Sequence, residues 1–260
     1  MVSQILKGIS HVRDGFRLIK LRGVKRYVAI PALINIILFT AAIWYGYIKF
    51  DSLLEQNLPD WLNWLEFLIW PIFFIAALVI VFFAFTLVAN VFGAPFNSVL
   101  SEKIEEKLIN EKQTSEENLE TVQEIEHKNI YLTLLRGARL GLSNEFRKLF
   151  YIAIRAIPLL LLLLIPGINV FTPFIWFLFG AWLLAIEYLD YPMGNRDFTF
   201  KQQLTLIKQN RFLCLGMGIG LMVMTIIPVL NFFAMPVGVA AATALWTEHL
   251  KQHAPILENK

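Results

Sequence analysis

Four stretches of this chain carry almost no charge, and they constrain the fold more than any other feature. Residues 27–48 run 22 residues without a charge and residues 67–89 run 23. Residues 150–186 hold one charge, Arg155, in 37 positions, and residues 212–247 hold none in 36. An α-helix rises 1.5 Å per residue, so 22 residues reach about 33 Å, enough to cross the hydrocarbon core of a bilayer. Runs this long belong to helices in a membrane. The rest of the composition agrees: 57% of residues are hydrophobic and 17% are charged, against about 25% charged in a soluble domain. Regularly alternating short strands are not in excess, which argues against a membrane β-barrel. The expectation is a single all-α membrane domain over residues 1–260.

The flanks of the runs orient them. Lys7, Arg13, Arg17, Lys20, Arg22, Lys25 and Arg26 precede the first run, against one acid, Asp14. Residues 49–66 hold Lys49 against Asp51, Glu55, Asp60 and Glu66. The positive-inside rule therefore puts a basic N-terminal helix, residues 1–26, in the cytoplasm and the 49–66 loop outside. Trp44, Tyr45, Tyr47, Trp61 and Trp64 gather near that outer face as an aromatic belt would. The N-terminus has no apolar core followed by a small-residue cleavage site, so it does not read as a cleaved signal. Residues 98–148 form a charged helical insert with eight Lys or Arg, hence cytoplasmic; their acidic centre reads as a solvated helix or linker. The polar tail, residues 248–260, also stays cytoplasmic.

The two longest runs are each interrupted at mid-length. Ile165-Pro166-Gly167-Ile168-Asn169 with Pro173 divides one, and Ile227-Pro228-Val229-Leu230-Asn231 with Pro236 divides the other. Proline lacks the helical donor and clashes with the preceding turn, so each run should be a helix–turn–helix. Their first arms hold 16 or 17 residues, short of the roughly 20 of a full crossing. The turns carry no charge, and both flanks of each hairpin are basic. The pattern predicts two long transmembrane helices, 27–48 and 67–89, plus two partly inserted helical hairpins, 150–186 and 212–247, that enter from the cytoplasmic side. Four ordinary, slightly short spans are the alternative.

Several groups could carry chemistry. Arg22, Gly23, Val24, Lys25 and Arg26 place cations and a flexible backbone at the start of a helix, where anions bind; the same residues suit an anchor on lipid phosphates. Gly93-Ala94-Pro95-Phe96-Asn97, followed by Glu102, breaks an apolar helix at the membrane face, as a gate or a simple exit turn would. Glu187 and Asp190 share one helical face; they could couple a proton, pair with the 22–26 cluster, or serve as interfacial charges. Arg155 either lines a pore or snorkels to the interface. Asn35, Asn169 and Asn231 are polar groups in apolar surroundings, suited to capping a broken helix or lining a path. His249 and His253 have i,i+4 spacing but sit in the polar tail without a third ligand, so no metal site is expected. Cys214 is the single cysteine, which excludes an intrachain disulfide. The chain contains no P-loop, no Gly-x-Ser-x-Gly and no HExxH. Neither an enzyme nor an ATP-driven pump is expected, and no cofactor and no nucleic acid is called for.

These residues resemble the CysZ family of bacterial sulfate permeases. The likeness is carried by Gly15-Phe16-Arg17-Leu18-Ile19, Leu21-Arg22 through Pro31 and Asn35, and Gly93-Ala94-Pro95-Phe96-Asn97 with Ser101-Glu102-Lys103. It continues in the Ile165-Pro166 turn with Asn169 and Pro173, and in Glu187-Tyr188-Leu189-Asp190-Tyr191-Pro192. Met193-Gly194-Asn195 departs from the Phe-Asp-Asn type of continuation expected there. The resemblance implies sulfate uptake across the bacterial inner membrane for cysteine synthesis, channel-like or proton-coupled, by a homo-oligomer in contact with membrane lipids. A non-transporting scaffold or regulator that binds anionic lipid through the 22–26 cluster is the competing function.

Overall fold

A computed structural model describes residues 1–57, 67–68, 70–72, 74–76, 96–111, 130–165, 167, 169–231 and 233–254. Most of the second run, the 93–95 break, the 58–66 loop and the acidic centre of the insert lie outside the described residues. Within them every regular element is a helix, as an all-α chain requires. The chain divides into two compact units, residues 25–97 and the remainder.

The 25–97 unit is dominated by α2, Lys25–Asn57. Its 33 residues extend beyond the uncharged 22 because Lys49, Asp51 and Glu55 end only the apolar run and do not break a helix. Leu33, Ile36, Ile37, Ile43 and Trp44 stand exposed along α2, a face that only lipid or protein would cover. The rings of Tyr47 and Trp70 lie 5.5 Å apart.

The other unit is built from α1 (Val2–Leu18), α3 (residues 96–111, from Ser98 onward), α4 (Ile130–Leu162), α5 (Thr172–Gly194), α6 (Phe200–Gln209), α7 (Arg211–Ile226), α8 (Pro228–Asn231) and α9 (Ala234–Leu245). A 3₁₀ turn, Asn169–Phe171, leads into α5, and a π-helical turn, Trp246–Leu250, continues α9. The core lies around α9, where every residue from Val237 to Leu245 is buried. Ala240, Ala241 and Ala242 keep that helix slim, so α1 and α5 can pack close to it.

The amphipathic α1 buries Gly8, His11, Val12, Gly15 and Leu18, spaced three or four apart or adjacent along one face. It meets α7 through glycines. A Cβ at Gly8 would overlap the backbone oxygen of Leu213, and one at Gly216 would overlap that of Ile5. Gly216 and Gly220 form a G-x-x-x-G face toward α1, while Gly218 turns toward Ala181 of α5. Small residues at this spacing let helix backbones approach without a driving force from water.

The helix limits refine the sequence reading at two places. Over the described residues α4 runs from Ile130 through the polar-to-apolar boundary near residue 149 without a break, because a change of solvent is not a helix terminus. α5 has 23 residues, longer than a short hairpin arm; the segment Asn169–Gly194 is, among the described residues, the one helix long and apolar enough to cross a membrane. α6 and α7 meet at a bend of 97°. The turn before α6 is held by a capping box between Thr199 and Gln202, which satisfies helix-start donors reciprocally.

Candidate anion-binding site

Lys148 organises a polar cluster midway along α4. Its side chain is 7% exposed, and its Nζ lies 2.8 Å from Glu145, 2.9 Å from Glu187 and 3.2 Å from Asp190. The second oxygen of Asp190 accepts from Gln203 Nε2 of α6 at 2.7 Å. Glu187 and Asp190 do share a face, as their spacing implies, but that face meets α4. Their cation is Lys148, not the 22–26 cluster. Burial works against the lysine's charge, yet Asp190 and Glu187 outweigh it and hold its pKa above the ordinary lysine value. Close by, Asn144 donates to the Phe198 carbonyl at 3.0 Å and accepts from the Phe200 N–H at 2.9 Å, fixing the turn between α5 and α6.

Two turns farther along α4 the chemistry changes sign. Arg155 lies with its guanidinium carbon 3.6 Å from the centroid of the Tyr151 ring. The Tyr151 hydroxyl accepts from Trp182 Nε1 of α5 at 2.8 Å. A cavity of about 520 Å³ is lined by Tyr151, Arg155, Trp182, Lys208, Arg211, Phe212 and Leu215. Lys208 closes α6 and Arg211 opens α7, so the sharp bend between these helices turns both cations toward Arg155. Among the described residues no carboxylate lines the cavity and none of the three cations forms an ion pair. Arg211 and Phe212, the first two residues of α7, both line it, and Asn210 supplies no side-chain cap to that helix. A second cavity, about 430 Å³, shares Arg155, Trp182 and Leu215 and is otherwise lined by Leu159, Ile175, Leu178 and Phe179. The site is therefore cationic on one side of Arg155 and apolar on the other.

The other candidates fall as follows. Arg22, Gly23 and Val24 belong to one unit, and Lys25 and Arg26 begin the other. Arg22, Lys25 and Arg26 are exposed, Val24 is fully buried, and Gly23 adopts φ +87°, a left-handed turn that favours glycine. The Arg22 carbonyl accepts from Lys107, and Arg26 donates to the Tyr27 hydroxyl at 3.1 Å. Asn97 is buried and Glu102 exposed. Asn35 lies within α2, and its side chain is outside the described residues. Asn169 and Asn231 are exposed at the two breaks and do not cap the helices that follow. The N-cap positions of α5 and α9 belong to Phe171 and Phe233, because each break spends an extra turn before its helix starts. Among the candidate pore residues, Glu187 and Asp190 are brought to a common partner.

The two tail histidines have different neighbours from those their spacing suggests. His253 bonds back to the His249 carbonyl at 3.0 Å, and α1 carries His11 to His249 and Glu248 instead. Along the sequence, Lys148, Lys208 and Arg211 stand only as flanking charges. Their convergence depends on helix packing and on the α6–α7 bend, which leave no local signal.

A family profile described as "Sulfate transporter CysZ/Etoposide-induced protein 2.4" matches residues 11–236. The chain belongs to that family. Relatives named "Sulfate transporter CysZ" match almost end to end. The protein of Pseudomonas aeruginosa is 34% identical over 252 residues, covering 96% of this chain and 98% of its own length. That of Vibrio cholerae is 35% identical over 254 residues, covering 96% of each. The Salmonella typhimurium protein is 36% identical over 245 residues, covering 93% of this chain and 92% of its own. Membership of the CysZ/Etoposide-induced protein 2.4 family makes this a helical membrane protein whose curated relatives carry the name of a transporter, not of an enzyme.

Proposed function

We propose that this chain carries sulfate across the bacterial inner membrane into the cytoplasm, for use in cysteine synthesis. The transporter name of its full-length relatives supports the cargo. One observation supports the place of recognition: the acid-free cavity where Arg155, Lys208 and Arg211 meet the N-terminus of α7. A doubly charged oxyanion suits three cations, and arginine and lysine line anion pores generally. Glu187 and Asp190 are engaged by Lys148 and do not line the cationic cavity, which favours passive conduction over proton coupling through these acids.

The disposition of exposed apolar groups supports hairpins that enter from the cytoplasmic side. Ile157, Leu161, Leu164, Phe171, Phe174, Ile226 and Val229 stand exposed around the two breaks. On the same helices Lys148 of α4, Glu187 in the second half of α5 and Arg211 at the start of α7 lie away from the breaks. Tips bathed in lipid and bases in water fit this arrangement, with both termini cytoplasmic. Several copies together would cover the exposed faces and enclose a path.

The apolar cavity beyond Arg155 favours one second reading, in which a lipid phosphate occupies the cationic site and its acyl chain the groove. Sulfate flux into liposomes separates the two. The triple change Arg155→Ala, Lys208→Ala, Arg211→Ala should lower flux at least about tenfold, since each charge-assisted bond is worth about 1.5–3 kcal/mol. Unchanged flux from that variant, with loss from Arg22→Ala plus Arg26→Ala, would move recognition to the 22–26 segment. Flux without an imposed pH gradient tests passive conduction.

A further inference from the structure

We propose that His11, Glu248 and His249 form a binding site for a divalent transition-metal ion of the zinc class, clipping α1 to the π-helical turn after α9. The site lies apart from the cationic cavity and is independent of the sulfate reading.

Its geometry is close to what such an ion requires. One oxygen of Glu248 lies 3.3 Å from His11 Nε2 and 3.7 Å from His249 Nε2. The three ligand atoms all fall within 4.8 Å of one another. Ligands about 2.0–2.1 Å from a tetrahedral zinc are separated by about 3.4 Å. The His11–Glu248 edge is already that long, the Glu248–His249 edge is nearly so, and small side-chain rotations close the third.

The buried histidine is set up as a ligand. His11 is 2% exposed, and its Nδ1 lies 2.7 Å from the Lys7 carbonyl. A carbonyl only accepts, so a proton belongs on Nδ1, and Nε2 is the nitrogen that faces Glu248. Nε2 is buried and makes no hydrogen bond. An imidazole nitrogen this close to a carboxylate calls for a cation between them, which for the neutral imidazole is a metal ion and for the imidazolium a proton. A histidine whose far nitrogen donates to a backbone carbonyl is also the usual second-shell arrangement at metal sites.

The π turn explains how neighbours in sequence can both reach the site. It is wider than an α turn, so the angle between successive side chains shrinks, and Glu248 and His249 point more nearly the same way. Their side chains are 39% and 24% exposed, leaving a route for the ion. Two imidazoles and one carboxylate suit zinc, cobalt or nickel and not the all-oxygen preference of magnesium or calcium.

The test uses the full chain in detergent, without a polyhistidine tag, after chelator treatment. Titration with Co²⁺, read by visible absorption, and with Zn²⁺, read by calorimetry, should give one ion per chain. Zn²⁺ should also raise the melting temperature by several degrees. His249→Ala and Glu248→Gln, which alter partly exposed groups, should weaken the affinity at least about tenfold and abolish the thermal shift. His253→Ala and His127→Ala should leave both unchanged. His11→Gln should lose binding as well; if it fails to fold, the two exposed variants decide. Failure of either metal to saturate a site, which would leave only an imidazolium–carboxylate pair, overturns the proposal. So does binding that survives His249→Ala, or that His253→Ala weakens equally.

Discussion

Replacing Lys148 by methionine keeps most of the side-chain volume and removes only the charge. In the native protein that charge serves three carboxylates within 3.2 Å from a side chain that is 7% exposed. Breaking a fully buried pair costs about 3–5 kcal/mol, and an exposed one about 0–1. Glu145 and Glu187 are about half exposed and can return to water, whereas Asp190 is 23% exposed and is left with Gln203. The cost should therefore fall between the limits, at about 2–3 kcal/mol, or roughly 5–10 °C in melting temperature for a chain of this size. Thermal unfolding of the detergent-solubilised chain, followed by tryptophan fluorescence, measures it. Adding Asp190→Asn should recover most of the loss, since the stranded charge is what destabilises. The lysine's folded pKa is raised, so its stabilisation is complete below the ordinary lysine value and is lost only as pH climbs through the higher folded one. The difference between wild type and Lys148→Met should consequently stay level from neutral to mildly alkaline pH. A loss under about 0.5 kcal/mol, or no recovery on adding Asp190→Asn, would refute the account.

Other changes test neighbouring parts of the fold. Asn144→Ala leaves the buried Phe200 N–H without its acceptor, while the Phe198 carbonyl keeps Gln203 Nε2 at 3.2 Å. One orphaned donor should cost about 1–3 kcal/mol in the same melt. Gly216→Val drives a side chain into the Ile5 backbone; overpacking of about 1–3 kcal/mol or more should release α1, read as rapid hydrogen exchange across residues 2–18. Arg211→Ala should weaken sulfate binding about tenfold or more while Arg211→Lys retains most of it, because at this position a cation matters more than a fork-shaped donor. Equilibrium binding of labelled sulfate measures both.

What could be read from the sequence was whatever lies within a few turns of itself. The uncharged runs announce helices, and Pro166 and Pro228 announce interruptions, because a missing N–H acts locally. The shared face of Glu187 and Asp190 follows from spacing alone. Their cation does not: Lys148 is 42 residues from Asp190 and became a partner only when α4 lay beside α5. The cationic cavity was illegible for a similar reason, since Arg155 and Arg211 stand on different helices, 56 residues apart, and meet only around one cavity. Asn169 and Asn231 misled because side-chain chemistry suggests a cap, but where a helix restarts after a break is fixed by the backbone turn. His11 and His249 sit near opposite ends of the chain, and no local pattern could join them.

The pairing of α1 with α7 through Gly8 and Gly216 also sets an order of events during synthesis. The N-terminal helix leaves the ribosome first, yet its seat is made about 200 residues later, which at 5–20 residues per second is about 10–40 s. Throughout that interval its apolar stripe needs other cover, and the membrane surface is the natural place for a basic amphipathic helix to wait. Docking then comes at the end of translation, so changes near residue 216 should trap a chain that is already inserted but unfinished at its first helix.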